Sequence, residues 1–442
     1  MIGSFHSNRI AKVLGPHEAA VGDRLPYAGH LDEVTLKTRD GLLIQVLHLR
    51  GFPYETASDD ELNYRKAVRE TLLRGATSSR LALYHHVVRR RVATELEEAP
   101  SNPFCRQLHA RWKDRLAQRP LYVNEIFLTL VRRPLQGGAG LIERLFKKPG
   151  EDEAALAREL RQLHNTRETF LSALAHYGPR TLGLYSGPTG LCSEPAEFLS
   201  LLVNGRPRRV LAPSGDMGQA LPTRRLHFGF DAMEFAAAAP DGPLYGAMVS
   251  LKDYPLRSVP GMLDGLLRLP FEMVLTESFA FVDRQTSLNR MSQALRRLRA
   301  ADDDAISLRG ELSAAKDDVA AGRAAYGEHH LSILAKTDTL EELDGAVANV
   351  QSTLAETGAI AVREDIALEP AFWAQFPGNF RFIARNAMIS AANFASLASF
   401  HNHPTGQASG THWGNAITVL ETTSHGPYHF KDRKSTRLNS SH

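Results

Sequence analysis

Phe372-Trp-Ala-Gln-Phe-Pro-Gly-Asn379 is the stretch around which the rest of the 442-residue sequence is organised. An Arg- and Ala-rich run follows it, then His401-Asn-His-Pro-Thr-Gly406 and the pair Trp413-Gly414. The β-branched residues of Ala416–Thr423 predict a strand after these motifs. Two interpretations compete for this stretch. Either its histidines form a metal site, or the whole stretch closes a domain that precedes another domain.

The metal interpretation depends on three histidines. His401-Asn-His403-Pro404 is similar to the His-x-His-Pro motif of JAMM/RadC-type metalloproteins, in which a Ser-x-x-Asp follows and supplies a carboxylate ligand. Here His412 stands three residues after Ser409, where the aspartate is expected. Since imidazole also binds zinc, a zinc-dependent hydrolase using His401, His403 and His412 is one alternative. The other is a turn ordered by backbone hydrogen bonds.

Composition and charge favour an ordinary globular protein of two or three domains. Hydrophobic residues make up 43% of the chain and charged residues 23%, and the net charge is +3. This near balance gives no case for sequence-specific nucleic-acid contact. The two cysteines, Cys105 and Cys192, are far apart and indicate a reducing compartment. Without a signal sequence or a long apolar window, the sequence predicts a cytoplasmic protein.

The first part of the chain predicts an N-terminal arm and an α+β subdomain. Residues 1–30 show little periodicity and are interpreted as a basic arm. Residues 31–148 form the first subdomain, with helices expected on one face of its sheet. Its signals are a hairpin turn at Asp40-Gly41, a helix capped by Ser58, a strand at Leu81–Val88, a helix at about Pro103–Gln118 and a strand at Leu121–Val131.

Residues 149–430 predict a second α+β subdomain with its own mostly antiparallel sheet. Its expected elements are a long helix at about Glu151–His176, strands near residues 226–230, 244–251 and 271–281, a Pro-initiated helix at Val259–Leu267 and a β-α-β unit from His329 to Glu364. A highly charged insertion at about 284–326 lacks sustained heptads and predicts a helical hairpin. The tail 431–442 has no apolar periodicity and resembles foreign sequence.

One segment is similar to the first half of a phosphate-binding P-loop. After Ser186-Gly-Pro-Thr-Gly190, the places where a P-loop needs Gly-Lys-Ser/Thr hold Cys192, Ser193 and Glu194. The lysine is missing, and a carboxylate stands where the magnesium-binding hydroxyl belongs, which would repel phosphate. The segment therefore predicts the N-terminal cap of a helix at Ser193–Val203. No Gly-x-x-x-x-Gly-Lys-Ser/Thr occurs anywhere in the sequence, so we expect this chain not to hydrolyse ATP alone. No catalytic or cofactor-binding residue is assigned.

Many short motifs, in the same order, resemble the type IV secretion and conjugal-transfer ATPase family of the TrbE/CagE/VirB type. The resemblance runs nearly to Phe430 and rests on Leu25-Pro-Tyr27, Gly51-Phe-Pro-Tyr-Glu55, Asn124–Leu130 with Arg132-Arg-Pro134, Ser193–Leu199 with Asn204-Gly205, Met248–Pro255, Ser278-Phe-Ala-Phe281, Phe372–Asn379, Asn393-Phe394, His401-Asn402, Trp413-Gly414 and Thr422-Thr-Ser424. It accounts for the histidine loop without a metal.

The resemblance implies the N-terminal, non-motor region of such an ATPase, lacking the RecA-like motor and inactive alone. The full-length parent would use ATP and magnesium. The implied location is the cytoplasmic face of the inner membrane, in a homo-oligomer that contacts its own motor domain and membrane components of the secretion channel. Candidate membrane or partner residues are Arg9, Lys12, Arg24, Arg89, Arg90 and Arg91. A stand-alone scaffold protein is the remaining alternative.

Overall fold

The structure is a computed structural model that describes residues 20–93, 102–133, 151–237, 241–300, 306–410 and 415–431. The strands are β1 (Tyr27–His30), β2 (Thr35–Thr38), β3 (Leu43–Leu49), β4 (Phe52–Pro53), β5 (Leu81–Val92), β6 (Leu121–Arg132), β7 (Pro179–Thr181), β8 (Leu184–Gly187), β9 (Gly190–Ser193), β10 (Leu226–Phe228), β11 (Met233–Phe235), β12 (Leu244–Asp253), β13 (Glu272–Val282), β14 (Tyr326–Thr337), β15 (Ile360–Arg363), β16 (Ala387–Ser390), β17 (His401–Asn402), β18 (Thr418–Glu421) and β19 (Pro427–Phe430).

The helices alternate irregularly with these strands. They are α1 (Asp59–Gly75), α2 (Pro103–Ala117), α3 (Glu151–Ala173), α4 (Glu194–Asn204), α5 (Met217–Ala220), α6 (Arg284–Ala300), α7 (Ile306–Ala320), α8 (Leu340–Ala355), α9 (Leu368–Ala374) and α10 (Ala391–Leu397). Short 3-10 helices cover Val21–Arg24, Ala175–Tyr177, Asp264–Arg268 and Phe380–Phe382. None of the helices in these described ranges is long and apolar enough to cross a bilayer.

One large antiparallel sheet organises the described residues, with the order β1-β2-β3-β6-β5-β13-β14-β12-β11-β10. The predicted α+β class with antiparallel strands is confirmed. The prediction of a separate second sheet is wrong, because β5 and β13 pair antiparallel from Met273↔Arg89 to Ala280↔Ala82. β13 is buried on both faces for most of its length, so it needs a hydrogen-bonded partner on each side.

Two apolar cores lie on opposite faces of this sheet. Along β3, Leu43, Leu47 and Leu49 enter one core, and Ile44 and Val46 enter the other, as the two-residue period of a strand requires. Helices α1, α3, α8 and α10 contribute to the first core, and α4, α5 and α9 to the second. Helices therefore cover both faces of the whole sheet, but α4, α5 and α9 all follow residue 148, and within residues 31–148 helix α1 contributes to the first core alone.

The stretch Phe372–Asn379 fixes the start of the chain to the second core. Phe372, Trp373 and Phe376 are buried, and their rings contact one another. The hydroxyl of Tyr27 donates to the carbonyl of Pro377 at 3.0 Å, and Asn379 Nδ2 donates to the carbonyl of Arg24 at 2.9 Å. Tyr27–His30 belong to the sheet as β1, which corrects the prediction of an arm reaching residue 30. Residues 1–19 lie outside the described part.

Several local predictions are confirmed. Gly41 has a φ of 88° in the turn between β2 and β3, and Ser58 accepts a hydrogen bond from the Glu61 amide at the start of α1. The charged insertion forms the predicted helical hairpin of α6 and α7. The β-α-β unit is also present, with β12 pairing antiparallel with both β14 and β15.

The Pro-initiated helix predicted at Val259–Leu267 is replaced by the 3-10 helix Asp264–Arg268. Gly261 adopts a φ of 80°, in the left-handed region that a regular α-helix excludes. A Cβ at Gly261 would lie 2.6 Å from the Asp264 carboxylate, so the glycine lets this carboxylate lie close against the turn.

Candidate functional site

The histidine loop lies where β17 pairs in parallel with β4, with His401 opposite Phe52. Nδ1 of His401 donates to the Asp264 carboxylate at 2.7 Å, and its ring stacks on Tyr54 at 4.9 Å between centroids. Since a carboxylate accepts this hydrogen bond, Nδ1 carries its hydrogen, and Nε2 is the ring nitrogen not used in it. This Nε2 atom is buried and has no hydrogen-bond partner among the described residues.

The second histidine of the loop lies at the edge of the same cluster. His403 Nδ1 is 3.6 Å from the Glu55 carboxylate, and Arg268 donates to the Tyr54 hydroxyl at 3.2 Å. Burial lowers the pKa of His403 below its ordinary value, which outweighs the opposing effect of Glu55. Burial likewise raises the pKa of Tyr54. At neutral pH both side chains are therefore uncharged.

The loop connects distant segments of the chain. Nδ2 of Asn402 donates to the carbonyls of Arg50 and Asn124, both at 3.0 Å, and Oδ1 of Asn402 accepts from the amide of His403. The prediction that backbone hydrogen bonds order this turn is confirmed for Asn402. A carboxylate, not the backbone, orders His401.

The zinc alternative required His401, His403 and His412. Within the described ranges no group of three or more His, Cys, Asp or Glu side chains is arranged to hold a metal ion. His412 lies outside those ranges, in residues 411–414. The contacts in the described part are those of an internal polar cluster, in which His401 binds Asp264 and His403 lies near Glu55.

The prediction that Arg89 lies on a membrane or partner surface is wrong. Its side chain is fully buried and donates to the carbonyls of Leu267, Leu269 and Ser424 at 2.6–2.8 Å, and to Oδ1 of Asn124 at 3.0 Å. Burial lowers the pKa of Arg89 to about 10. A guanidinium enclosed in this way cannot contact a lipid headgroup, and instead it joins β5 to the loop between β18 and β19.

The other predicted surface cations differ in exposure. Arg90 is half-buried and pairs with Glu125 at 2.7 Å, and Arg24 pairs with Glu369 at 3.3 Å. Arg91 is exposed and lies 3.8 Å from Asp338. Since each of these cations already has an acidic neighbour, the structure adds no support for them as a membrane surface. Arg9 and Lys12 lie outside the described residues.

A buried polar cluster around Glu277 was missed by sequence reasoning. Glu277 is fully buried on β13, with His85 Nδ1 at 2.6 Å and His329 Nε2 at 3.7 Å from its carboxylate oxygens. The hydroxyl of Tyr254 lies 2.7 Å from Nδ1 of His329. Burial alone would raise the pKa of Glu277, but the two imidazoles outweigh it and lower this pKa to about 2.

The alternation of side chains along a strand indicates one feature of this cluster, namely that His85 and its neighbour His86 lie on opposite faces of the sheet. His85 and His86 do point to opposite faces, as predicted, and His86 Nε2 donates to the carbonyl of Gln375 at 2.8 Å. The sequence could not show that His85 and His329, on strands at either side of β13, meet at one carboxylate.

The segment that is similar to half a P-loop forms the hairpin of β8 and β9. Ser193 caps α4 by accepting from the Ala196 amide, as predicted, and the Glu194 carboxylate pairs with Arg180 at 2.7 Å. Negative charge at this helix N-terminus opposes phosphate binding. The described sites share one property: their polar groups join parts of the chain to each other. They are internal contacts of a sheet-built α+β region.

Comparison with known proteins gives the family. The sequence model of the "CagE, TrbE, VirB family, component of type IV transporter system" matches residues 180–385. The model of the "Type IV secretion system ATPase VirB4/TrbE, N-terminal domain" matches residues 34–139. The two together cover more than half of the sequence, and the chain belongs to the CagE/TrbE/VirB family.

Individual relatives agree with this assignment. The type IV secretion system protein virB4 of Bartonella henselae is 32% identical over 417 residues, which cover 93% of this chain and 53% of the relative. The protein virB4 of Rhizobium radiobacter is 33% identical over 410 residues, covering 92% and 51%. The type IV secretion system protein PtlC of Bordetella pertussis is 30% identical over 421 residues, covering 94% and 51%. The chain thus spans about half the length of the curated relatives it matches.

Proposed function

We propose that this chain is the N-terminal, non-motor region of a type IV secretion ATPase that energises assembly and transport at the inner membrane. The observation that carries the proposal is the match of residues 34–139 to an N-terminal domain of the VirB4/TrbE ATPases, in a chain about half as long as its relatives. In this role the antiparallel sheet supports a motor that binds ATP and magnesium.

The internal polar clusters support a scaffold role. Arg89, Asn402 and His401 each join segments that are far apart in sequence. The contacts of Arg89 with Ser424 and of Asn402 with Asn124 hold the β18–β19 loop against β5 and the histidine loop against β6. A rigid attachment of this kind transmits force from a following domain better than a flexible linker does. We infer that the partners are the motor domain, membrane components of the secretion channel, and other copies of the chain.

Two measurements test this function. The complete reading frame in genomic DNA is expected to encode Gly-x-x-x-x-Gly-Lys-Ser/Thr downstream of Phe430, because the motor needs a lysine and a hydroxyl at the phosphates. The purified 442-residue chain is expected to release no phosphate from ATP with magnesium. An open frame without that motif, or steady turnover that follows the chain through successive purification steps, would overturn the proposal.

A further inference from the structure

Helix α2 lies almost entirely on the surface, although it carries large apolar residues. Leu116 is its one buried residue, and it packs with Leu121 and Val419 in a small cluster apart from the two main cores. Nε1 of Trp112 donates to the carbonyl of Val419 at 2.7 Å. These contacts anchor the C-terminal half of α2 and leave its N-terminal half projecting.

The projecting half presents apolar side chains to solvent. Phe104 is 72% exposed and Leu108 is 59% exposed, and they lie one helical turn apart. The helix begins firmly at this end, since Asn102 caps it by accepting from the Phe104 amide and Pro103 occupies its first turn. A stable helix that exposes two adjacent large apolar residues marks an interaction surface.

Exposed cations accompany these apolar residues, and one of them, Arg115, also lies 5.9 Å from the centre of the Trp112 ring. Arg106, Arg111, Lys113 and Arg115 are exposed, and none forms an ion pair with any residue in the described part of the chain. Arg111 and Arg115 follow Phe104 and Leu108 by seven residues each and so lie on the same face of the helix. Asp114 is the one acidic residue of α2.

We propose that α2 lies in the plane of an anionic phospholipid surface. Phe104 and Leu108 enter the boundary between headgroups and acyl chains, and Arg111 and Arg115 contact the headgroup phosphates beside them. A nucleic acid would satisfy the arginines but would leave Phe104 and Leu108 in water, so the combination favours lipid. The inference deepens the proposed peripheral location and names the element that makes the contact.

The test is flotation of the full chain with vesicles of phosphatidylcholine, with and without phosphatidylglycerol. We expect binding to the anionic vesicles alone, weakened by high salt. Arg111→Gln with Arg115→Gln should weaken binding about 25-fold, or about fivefold per cation. Phe104→Ser with Leu108→Ser should abolish it. All four positions are exposed, and circular dichroism checks that each variant keeps its fold.

The matched control is Arg296→Gln with Arg297→Gln on α6, which removes the same charge from exposed positions. This variant should bind as the unchanged chain does. Each of four results would overturn the inference. They are equal binding to neutral and anionic vesicles, undiminished binding after either change in α2, an equal loss of binding in the control variant, and binding of nucleic acid in place of vesicles. Such a failure would not affect the proposal that this chain is the non-motor region of an ATPase, because that proposal is tested by the reading frame and by the ATP turnover measurement.

Discussion

The carboxylate of Glu277 lies 2.6 Å from Nδ1 of His85, across the β5–β13 pairing that joins the two halves of the sheet. The two residues are 192 positions apart in sequence and both are buried. This buried pair marks the place where the parts predicted to be separate subdomains become one sheet.

Replacing Glu277 with leucine should destabilise the protein by about 3–5 kcal/mol, because it leaves the imidazoles of His85 and His329 buried without their acidic partner. Urea unfolding followed by circular dichroism measures the effect. Glu311→Leu on the exposed face of α7 is the control and should change the free energy of unfolding by less than about 0.5 kcal/mol. Equal effects at the two positions would show that the buried pair contributes nothing to stability.

Stability should fall as the pH drops below about 6.5, because two buried histidines stay neutral in the folded chain. Burial lowers the pKa of His86 and of His330 to about 3, whereas the unfolded chain takes up these protons near pH 6.5. Each group therefore costs about 1.4 kcal/mol per pH unit between those two values. Unfolding of the unchanged chain and of His330→Leu at pH 7, 6 and 5 measures the slope. The variant should lose up to about 1.4 kcal/mol per pH unit of this slope, and an unchanged slope would contradict the assignment.

Local signals in the sequence predict much of the fold, but they do not predict the contacts between residues that are far apart in the sequence. The Asp40-Gly41 turn and the Ser58 cap depend on neighbouring residues, and both are found as predicted. Arg89, by contrast, sits in a basic run that is typical of a solvated strand end. Its burial depends on carbonyls of Leu267 and Ser424, which no local pattern brings near. The same holds for the histidine loop. Its motif can be recognised in the sequence, but the sequence does not show that His401 contacts Asp264.

Purified protein should contain no stoichiometric zinc, because Asp264 and Tyr54 already pack against His401 as parts of an internal cluster. Elemental analysis of the chain, prepared without a histidine tag, measures the metal content. Chelator treatment should leave the unfolding midpoint unchanged. One zinc per chain that is lost in a His401→Ala, His403→Ala double variant would instead support the hydrolase alternative.

Substitution of Gly51 by alanine should destabilise the chain more than the same change at Gly322. Both glycines have positive φ, 85° and 73°, so alanine costs about 1–2 kcal/mol of backbone strain at either position. A Cβ at Gly51 would also lie 2.5 Å from Asn402 Cβ and 2.9 Å from Ile126, whereas Gly322 has open space. We expect an additional loss of about 1–3 kcal/mol at Gly51, read from urea unfolding. Equal losses would mean that β4 and the histidine loop separate at little cost.

Arg89→Ala should be among the most destabilising single changes in β5, and Arg91→Ala, two residues further along the strand, provides its control. The first removes four hydrogen bonds and leaves the carbonyls of Leu267, Leu269 and Ser424 without their donor, which should cost about 3–5 kcal/mol. The second removes an exposed cation 3.8 Å from Asp338 and should cost less than about 1 kcal/mol.

Because Arg89 also holds Ser424, its loss should release the β18–β19 hairpin before the sheet unfolds. Limited trypsin digestion, followed by mass spectrometry, should then cut after Lys431 faster in Arg89→Ala than in Arg91→Ala. Comparable digestion and stability of the two variants would mean that the hairpin is held by other contacts, such as the bond from the Tyr122 amide to the His425 carbonyl at 2.8 Å. If Arg89 is the main attachment, a force applied at the C-terminal end of this region reaches the centre of the sheet through one buried guanidinium.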